Sequence, residues 1–149
     1  SQEQNVHRDC GHLFPELTSA APPVLAVVNL LLDDFTAANG ATEIWPGSHL
    51  LVDADQEETR TLRIPPARWR DHPSTLLLAP AGSIVIRDMR TWHRGGANST
   101  ASLRTMLALV YYRQYFMPDN LVALTEPISE NDWRQLSERV RWTYRLTRT

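Results

Sequence analysis

His7 and Asp9 stand two positions apart in the run Gln-Asn-Val-His-Arg-Asp that fills positions 4 to 9. In an extended chain successive side chains alternate between faces, so residues i and i+2 point the same way. One imidazole and one carboxylate then face a common point. They are two of the three groups in the 2-His-1-carboxylate arrangement, which holds Fe(II) on one face and leaves the other positions open. The third ligand has to come from farther along the chain. Of the other histidines, His12, His49, His72 and His93, only His93 ends a strand-like run with a glycine-bearing loop directly after it, Arg94 to Ser99. A side chain there can reach into the mouth of a barrel. On its own a His-x-Asp pair is a weak signal. Arg104 strengthens it, because a hairpin between His93 and the next strand would carry its guanidinium into the same cavity. The planar fork of an arginine binds a carboxylate through two hydrogen bonds, and an unpaired buried charge is costly. Arg104 therefore calls for an anionic ligand or for a protein carboxylate, and both remain open on these grounds.

The elements that must position these groups are mostly strands. Val24 to Leu32 is apolar on both faces and long enough to cross a sheet, with Asn29 its one polar member. A buried amide needs partners, so Asn29 either bonds to a neighbouring loop or faces a polar cavity. Asn39-Gly40 is a turn signal, Ala41 to Trp45 a short strand, and Pro46-Gly47-Ser48-His49 closes it. Asp53 to Arg60 has the composition of a solvated excursion, and the prolines between 61 and 73 forbid a long regular element there. Ser74 to Leu78 and Ser83 to Asp88 read as strands, the second with Ile84 and Ile86 alternating against Ser83, Val85 and Arg87. Leu103 to Phe116 is the longest strand-like run, with Arg104, Met106, Ala108, Val110 and Tyr112 on one face. Ser129 begins a capping box with Asp132 in the usual Glu position, and Trp133, Leu136, Val140 and Tyr144 recur at helical spacing, which predicts one C-terminal α-helix over about 129–146. Short strands divided by Gly and Pro turns, with a terminal helix, predict a mainly β protein of the antiparallel jelly-roll or barrel class.

At 149 residues the chain fits a single domain, 1–149, with a catalytic core over about 4–117. Its net charge of -2 gives no broad basic field for nucleic acid or an anionic membrane. Lysine is absent. The single cysteine, Cys10, allows no internal disulfide and fits a reducing compartment; following Asp9 in a strand it faces away from the candidate ligands and is read as structural. No apolar run reaches transmembrane length and no signal peptide opens the chain, so a cytoplasmic protein with no membrane partner is expected. The chain starts at Ser1 without methionine and enters the motif almost at once, which leads us to expect that an N-terminal portion is missing.

Taken together, Gln4, His7-Arg8-Asp9, Asn39-Gly40-Ala41-Thr42, Pro46-Gly47-Ser48-His49 and Asp88 through His93 to Asn98 and Arg104 resemble the phytanoyl-CoA dioxygenase family, over residues 4 to about 115. The resemblance implies a double-stranded β-helix (a cupin-like jelly roll) and an Fe(II)- and 2-oxoglutarate-dependent dioxygenase that uses O2 to hydroxylate a C–H bond of a small organic substrate, with succinate and CO2 as co-products. It assigns the iron ligands to His7, Asp9 and His93, the distal carboxylate of 2-oxoglutarate to Arg104, its chelating end to the neighbourhood of Gln4, and a place in the same pocket to Thr42. Pro46 to His49 matches a signature that is mainly structural, so His49 is not taken as a ligand. Relatives that halogenate carry a small residue where Asp9 stands, which favours hydroxylation here. Two rivals are a cupin-type metalloenzyme that does not use 2-oxoglutarate and a non-enzymatic ligand-binding jelly roll.

Overall fold

A computed structural model describes residues 1–14, 16–52, 62–113, 115–116 and 127–145. The acidic run from Asp53 to Arg60 lies outside these residues. The chain divides into two compact units, Ser1–Tyr112 and Arg113–Thr149.

The first unit is built on two three-stranded antiparallel sheets. In the first, β1 (Leu25–Leu31) lies between β4 (Ile84–Asp88) and β6 (Met106–Tyr112). In the second, β2 (Thr42–Ile44) lies between β3 (Thr75–Leu76) and β5 (His93–Gly95). β1 is central because its burial alternates with strand period: Leu25, Val27, Asn29 and Leu31 are buried, and Ala26, Val28 and Leu30 are half-buried. Register follows that alternation, with Val27 opposite both Arg87 and Val110, and Asn29 opposite both Val85 and Ala108. A slip of one residue would turn the whole inward set outward.

β4 turns inward the face that hydropathy alone would place outside. Ile84 and Ile86 are exposed, while Val85 and Arg87 line the interior. The register with β1 dictates this, because it sets Arg87 beside Val27 and not beside Val28. The long run after Leu103 is a strand only from Met106 to Tyr112, and Arg104 belongs to the segment leading into it. That segment is fixed by Thr105, whose N–H donates to Asp33 Oδ2 at 2.8 Å and whose carbonyl accepts from Leu32 N at 3.0 Å.

Two apolar clusters hold the ends of this unit. Val6, Trp45, Ile64 and Trp92 form one, against Leu51 and Trp69; Leu31, Phe35 and Ala41 form the other, against Leu77 and Ala79. Full burial of the larger side chains among them contributes about 1.5–3 kcal/mol each. The chain turns sharply into β2 at Gly40, with φ +80°; a Cβ there would lie 2.5 Å from the carbonyl oxygen of Gly96. The prolines after position 61 leave room only for α1 (Pro66–Trp69).

In the second unit the expected single helix is two: α2 (Glu130–Gln135) and α3 (Glu138–Thr143). Ser129 caps the first as the sequence predicts, accepting from Asp132 N at 3.2 Å. The break comes at Leu136 and Ser137, both extended (ψ 145° and 156°), because Ser137 acts as a second N-cap and accepts from Val140 N. Serine favours such a cap over a helix interior. No helix among the described residues is long and apolar enough to cross a membrane.

Candidate metal centre

The segment carrying His7 and Asp9 is held on both sides although it joins neither sheet as a regular strand. On one side His7 exchanges backbone hydrogen bonds with His93 (2.9 and 2.8 Å), Gln4 N donates to Gly95 O, and Asp9 N donates to Met89 O. On the other, Ile64 N donates to Val6 O and Arg8 N to Leu62 O. Its single bridges, His7 with Arg63 and His7 with His93, preserve the i, i+2 alternation, so both side chains face one way.

His93 opens β5 directly opposite His7, and the three groups meet. Ligand-capable atoms of His7, Asp9 and His93 all lie within 4.8 Å of one another; among the described residues they form the one such set of three. Asp9 Oδ1 is 3.9 Å from His7 Nε2 and 3.5 Å from His93 Nε2, and the two rings sit 4.3 Å apart, tilted by 50°. Each ring is anchored through its other nitrogen to the carbonyl two residues before it: His7 Nδ1 to Asn5 O at 2.8 Å, and His93 Nδ1 to Thr91 O at 3.0 Å. A carbonyl only accepts, so both Nδ1 atoms carry a proton, which leaves both Nε2 atoms turned toward Asp9. This is how metal-binding imidazoles are oriented. Burial, followed by the charge of Arg87, pushes His93 down to about 4, which keeps it neutral at physiological pH.

The three groups line a cavity of about 400 Å³ between residues of both sheets. Its walls are largely apolar, from Val27, Leu31, Ile44, Leu77, Val85 and Val110, with Gln4, Asn29, Thr42, Arg87 and Arg104 as polar members. A cavity of this size suits a small-molecule site. Asn29 is buried and faces this cavity, which answers the question its sequence position raised. Thr42 pairs with Gly95, and Gly95 N donates to Gln4 Oε1 at 2.8 Å, so Gln4 and Thr42 flank the same short strand.

Arg104 reaches the cavity by a route other than the expected hairpin, since β5 pairs with β2 and β6 pairs with β1. The intervening loop crosses between sheets, tied down by Asn98, which accepts from Thr100 N and donates to Ser102 O. The guanidinium lies 4.4 Å from the centre of the Phe35 ring, and among the described residues no carboxylate pairs with it. Burial lowers its affinity for the proton.

The remaining candidates take structural parts. Cys10, pushed up to about 11 chiefly by burial, keeps its proton and lies outside the cluster. His12 bonds to Leu51 O, His72 packs edge-on against Trp92, and His49 sits in the 3-10 turn Ser48–Leu50. Sequence reasoning missed Arg87, whose Nη2 donates to Asp9 Oδ2 at 2.7 Å. No local signal singles it out, since β4 ends in two adjacent charges, Arg87 and Asp88, and only the pairing with β1 decides which of them faces the cavity. Asp88, next to it, points the other way into a buried pair with Arg90 (2.7 Å).

Residues 1–106 match the family model of phytanoyl-CoA dioxygenase (PhyH). The chain belongs to the phytanoyl-CoA dioxygenase family. The chain is 33% identical over 129 residues to Dioxygenase FrzG of Cladobotryum sp, a match covering 80% of this chain and 39% of that protein. AviO1 of Streptomyces viridochromogenes Tue57 has a similar structure, with a TM-score of 0.59 and 27% identity over 79% of this chain and 47% of that one. So does the epimerase SnoN, in complex with Fe3+, alpha ketoglutarate and nogalamycin RO (TM-score 0.57, 26% identity, 75% of this chain and 43% of that one). The chain thus spans less than half the length of these relatives.

Proposed function

We propose that this chain supplies the iron and cosubstrate sites of an Fe(II)- and 2-oxoglutarate-dependent dioxygenase that hydroxylates a C–H bond of a small organic molecule. The observation that carries the reading is the pairing of two features in one cavity. Two imidazoles, each anchored through Nδ1 and turning Nε2 toward Asp9, converge with one carboxylate oxygen. In the same cavity the guanidinium of Arg104 has no protein carboxylate among the described residues. The donor set of two nitrogens and one oxygen fits non-haem iron, and SnoN, a family-like structure, holds Fe3+ and alpha ketoglutarate. The double-stranded β-helix of this reading is consistent with the two antiparallel sheets.

In this assignment His7, Asp9 and His93 hold the metal, and the fork of Arg104 takes the distal carboxylate of 2-oxoglutarate. Gln4 and Thr42 flank the chelating end. Bound iron and 2-oxoglutarate would supply the oxidation of an unactivated C–H bond by O2, with release of succinate and CO2. The chain's own task is positioning and the exclusion of water. Val27, Val85 and Val110 present apolar surface to the same cavity, where a substrate C–H bond would be held away from water.

The test is an anaerobic titration of the metal-free protein with Fe(II) and then 2-oxoglutarate. A visible charge-transfer band that requires both is the expected result. Its absence would sink the reading. Admission of O2 should then release succinate, and a true substrate should gain one oxygen atom.

A further inference from the structure

Asp9 has two carboxylate oxygens, and the structure gives them different partners. Oδ1 faces the imidazoles of His7 and His93, whereas Oδ2 accepts from Arg87 Nη2 at 2.7 Å. Arg87 comes from β4, opposite Val27, and its side chain is only 12% exposed. Its second terminal nitrogen, Nη1, is 3.2 Å from His93 Nδ1. That atom's proton is directed to Thr91 O, and a guanidinium cannot accept, so this second approach is electrostatic contact without a hydrogen bond. The guanidinium therefore contacts the atoms of Asp9 and His93 that are turned away from the other candidate ligands.

We propose that Arg87 is a positioning residue that restricts Asp9 to one-oxygen ligation and so reserves room at the metal for the cosubstrate. This rests on the oxygenase reading above. The physical argument is one of competition. A carboxylate free to rotate can offer a metal both oxygens, and the second would occupy a position that the facial arrangement leaves open. A charge-assisted hydrogen bond to Oδ2, made by a largely buried guanidinium, removes that option and fixes the carboxylate plane. The positive charge also opposes the metal directly, so Arg87 is not there to raise metal affinity. Its benefit has to appear at the next step, when 2-oxoglutarate binds.

This separates two affinities that a purely structural residue would move together. The experiment compares wild type, Arg87→Met and Arg87→Lys by anaerobic Fe(II) titration, by 2-oxoglutarate titration at saturating Fe(II) through the charge-transfer band, and by thermal melting. In Arg87→Met, Fe(II) affinity stays within about threefold of wild type, since lost repulsion offsets lost alignment, while 2-oxoglutarate affinity falls at least ~10-fold, or about 1.4 kcal/mol, because the freed second oxygen competes for its position. Arg87→Lys keeps a charged donor for Oδ2 and restores most of the 2-oxoglutarate affinity. Unchanged 2-oxoglutarate affinity in Arg87→Met would overturn the proposal and leave the oxygenase reading standing. So would a parallel loss of both affinities with a lowered melting temperature in both variants, which would mark Arg87 as structural. If wild type itself gives no Fe(II)- and 2-oxoglutarate-dependent band, the oxygenase reading fails, and the role of Arg87 with it.

Discussion

Replacing Arg104 by methionine should separate cosubstrate binding from folding. The guanidinium stacks 4.4 Å from the Phe35 ring centre and, among the described residues, has no carboxylate partner. A cation held this way contributes about 0.5–1 kcal/mol to the fold, and part of that is returned because the partly desolvated charge disappears with it. The net change in stability should therefore stay within about 1 kcal/mol, or roughly 2–4 °C in melting temperature for a chain of this size. The cost to 2-oxoglutarate is far larger. A bidentate contact to a carboxylate comprises two charge-assisted hydrogen bonds, each worth about 1.5–3 kcal/mol. Taking about 3–4 kcal/mol for the pair, Kd should rise ~100- to 1000-fold. The assay is the anaerobic charge-transfer titration at saturating Fe(II), with Fe(II) binding and thermal melting measured on the same preparation. A Kd for 2-oxoglutarate within about threefold of wild type, or an equal loss of Fe(II) and 2-oxoglutarate affinity, would refute the assignment.

Three further outcomes are expected. His93→Ala should abolish Fe(II) binding at micromolar metal while leaving the far-ultraviolet circular dichroism unchanged, since it removes one of three ligands and spares the backbone bonds to His7. Asp88→Asn should cost about 3–5 kcal/mol in urea denaturation, because Arg90 would be left buried without its carboxylate. For wild-type Asp88, burial would raise the carboxyl, but the bonds and charge of Arg90 outweigh it and hold the group below its ordinary 3.8. Its contribution is accordingly present in full above that value and fades as pH falls through the lower folded-state pKa, so the gap between wild type and Asp88→Asn should narrow only in strong acid. Gly40→Ala should destabilise by about 2–3 kcal/mol, since a Cβ at φ +80° would meet the Gly96 carbonyl at 2.5 Å; a melting temperature equal to wild type would show that the loop relaxes freely.

Alternation and residue type are enough to single out the three groups that converge in the structure. His7 and Asp9 declare themselves by their i, i+2 spacing, and His93 by its place between a strand and a glycine-bearing loop. Of the face read as Arg104, Met106, Ala108, Val110 and Tyr112, the first four line the cavity and Tyr112 does not. Pairing is what hydropathy does not carry. Which strands neighbour β1 decides that Arg87 faces inward and Ile86 outward, and nothing local to β4 holds that information. The same gap underlies the expected His93–Arg104 hairpin, where the chain in fact crosses between sheets. In the second unit, apolar spacing suggests one helix, but Ser137 competes for the backbone as a cap and divides it.

The mutual backbone bonds of His7 and His93 also bear on how the centre comes into being. A nearby contact of the same pairing, Gly95 N to Gln4 Oε1, joins residues 91 positions apart, so the ligands meet only after a very long loop has closed. Metal binding thus rewards late, non-local order and adds nothing to the early, locally structured chain. Fe(II) should leave the folding rate nearly unchanged and slow unfolding, protecting the amides of His7 and His93 against hydrogen exchange in proportion to free metal concentration.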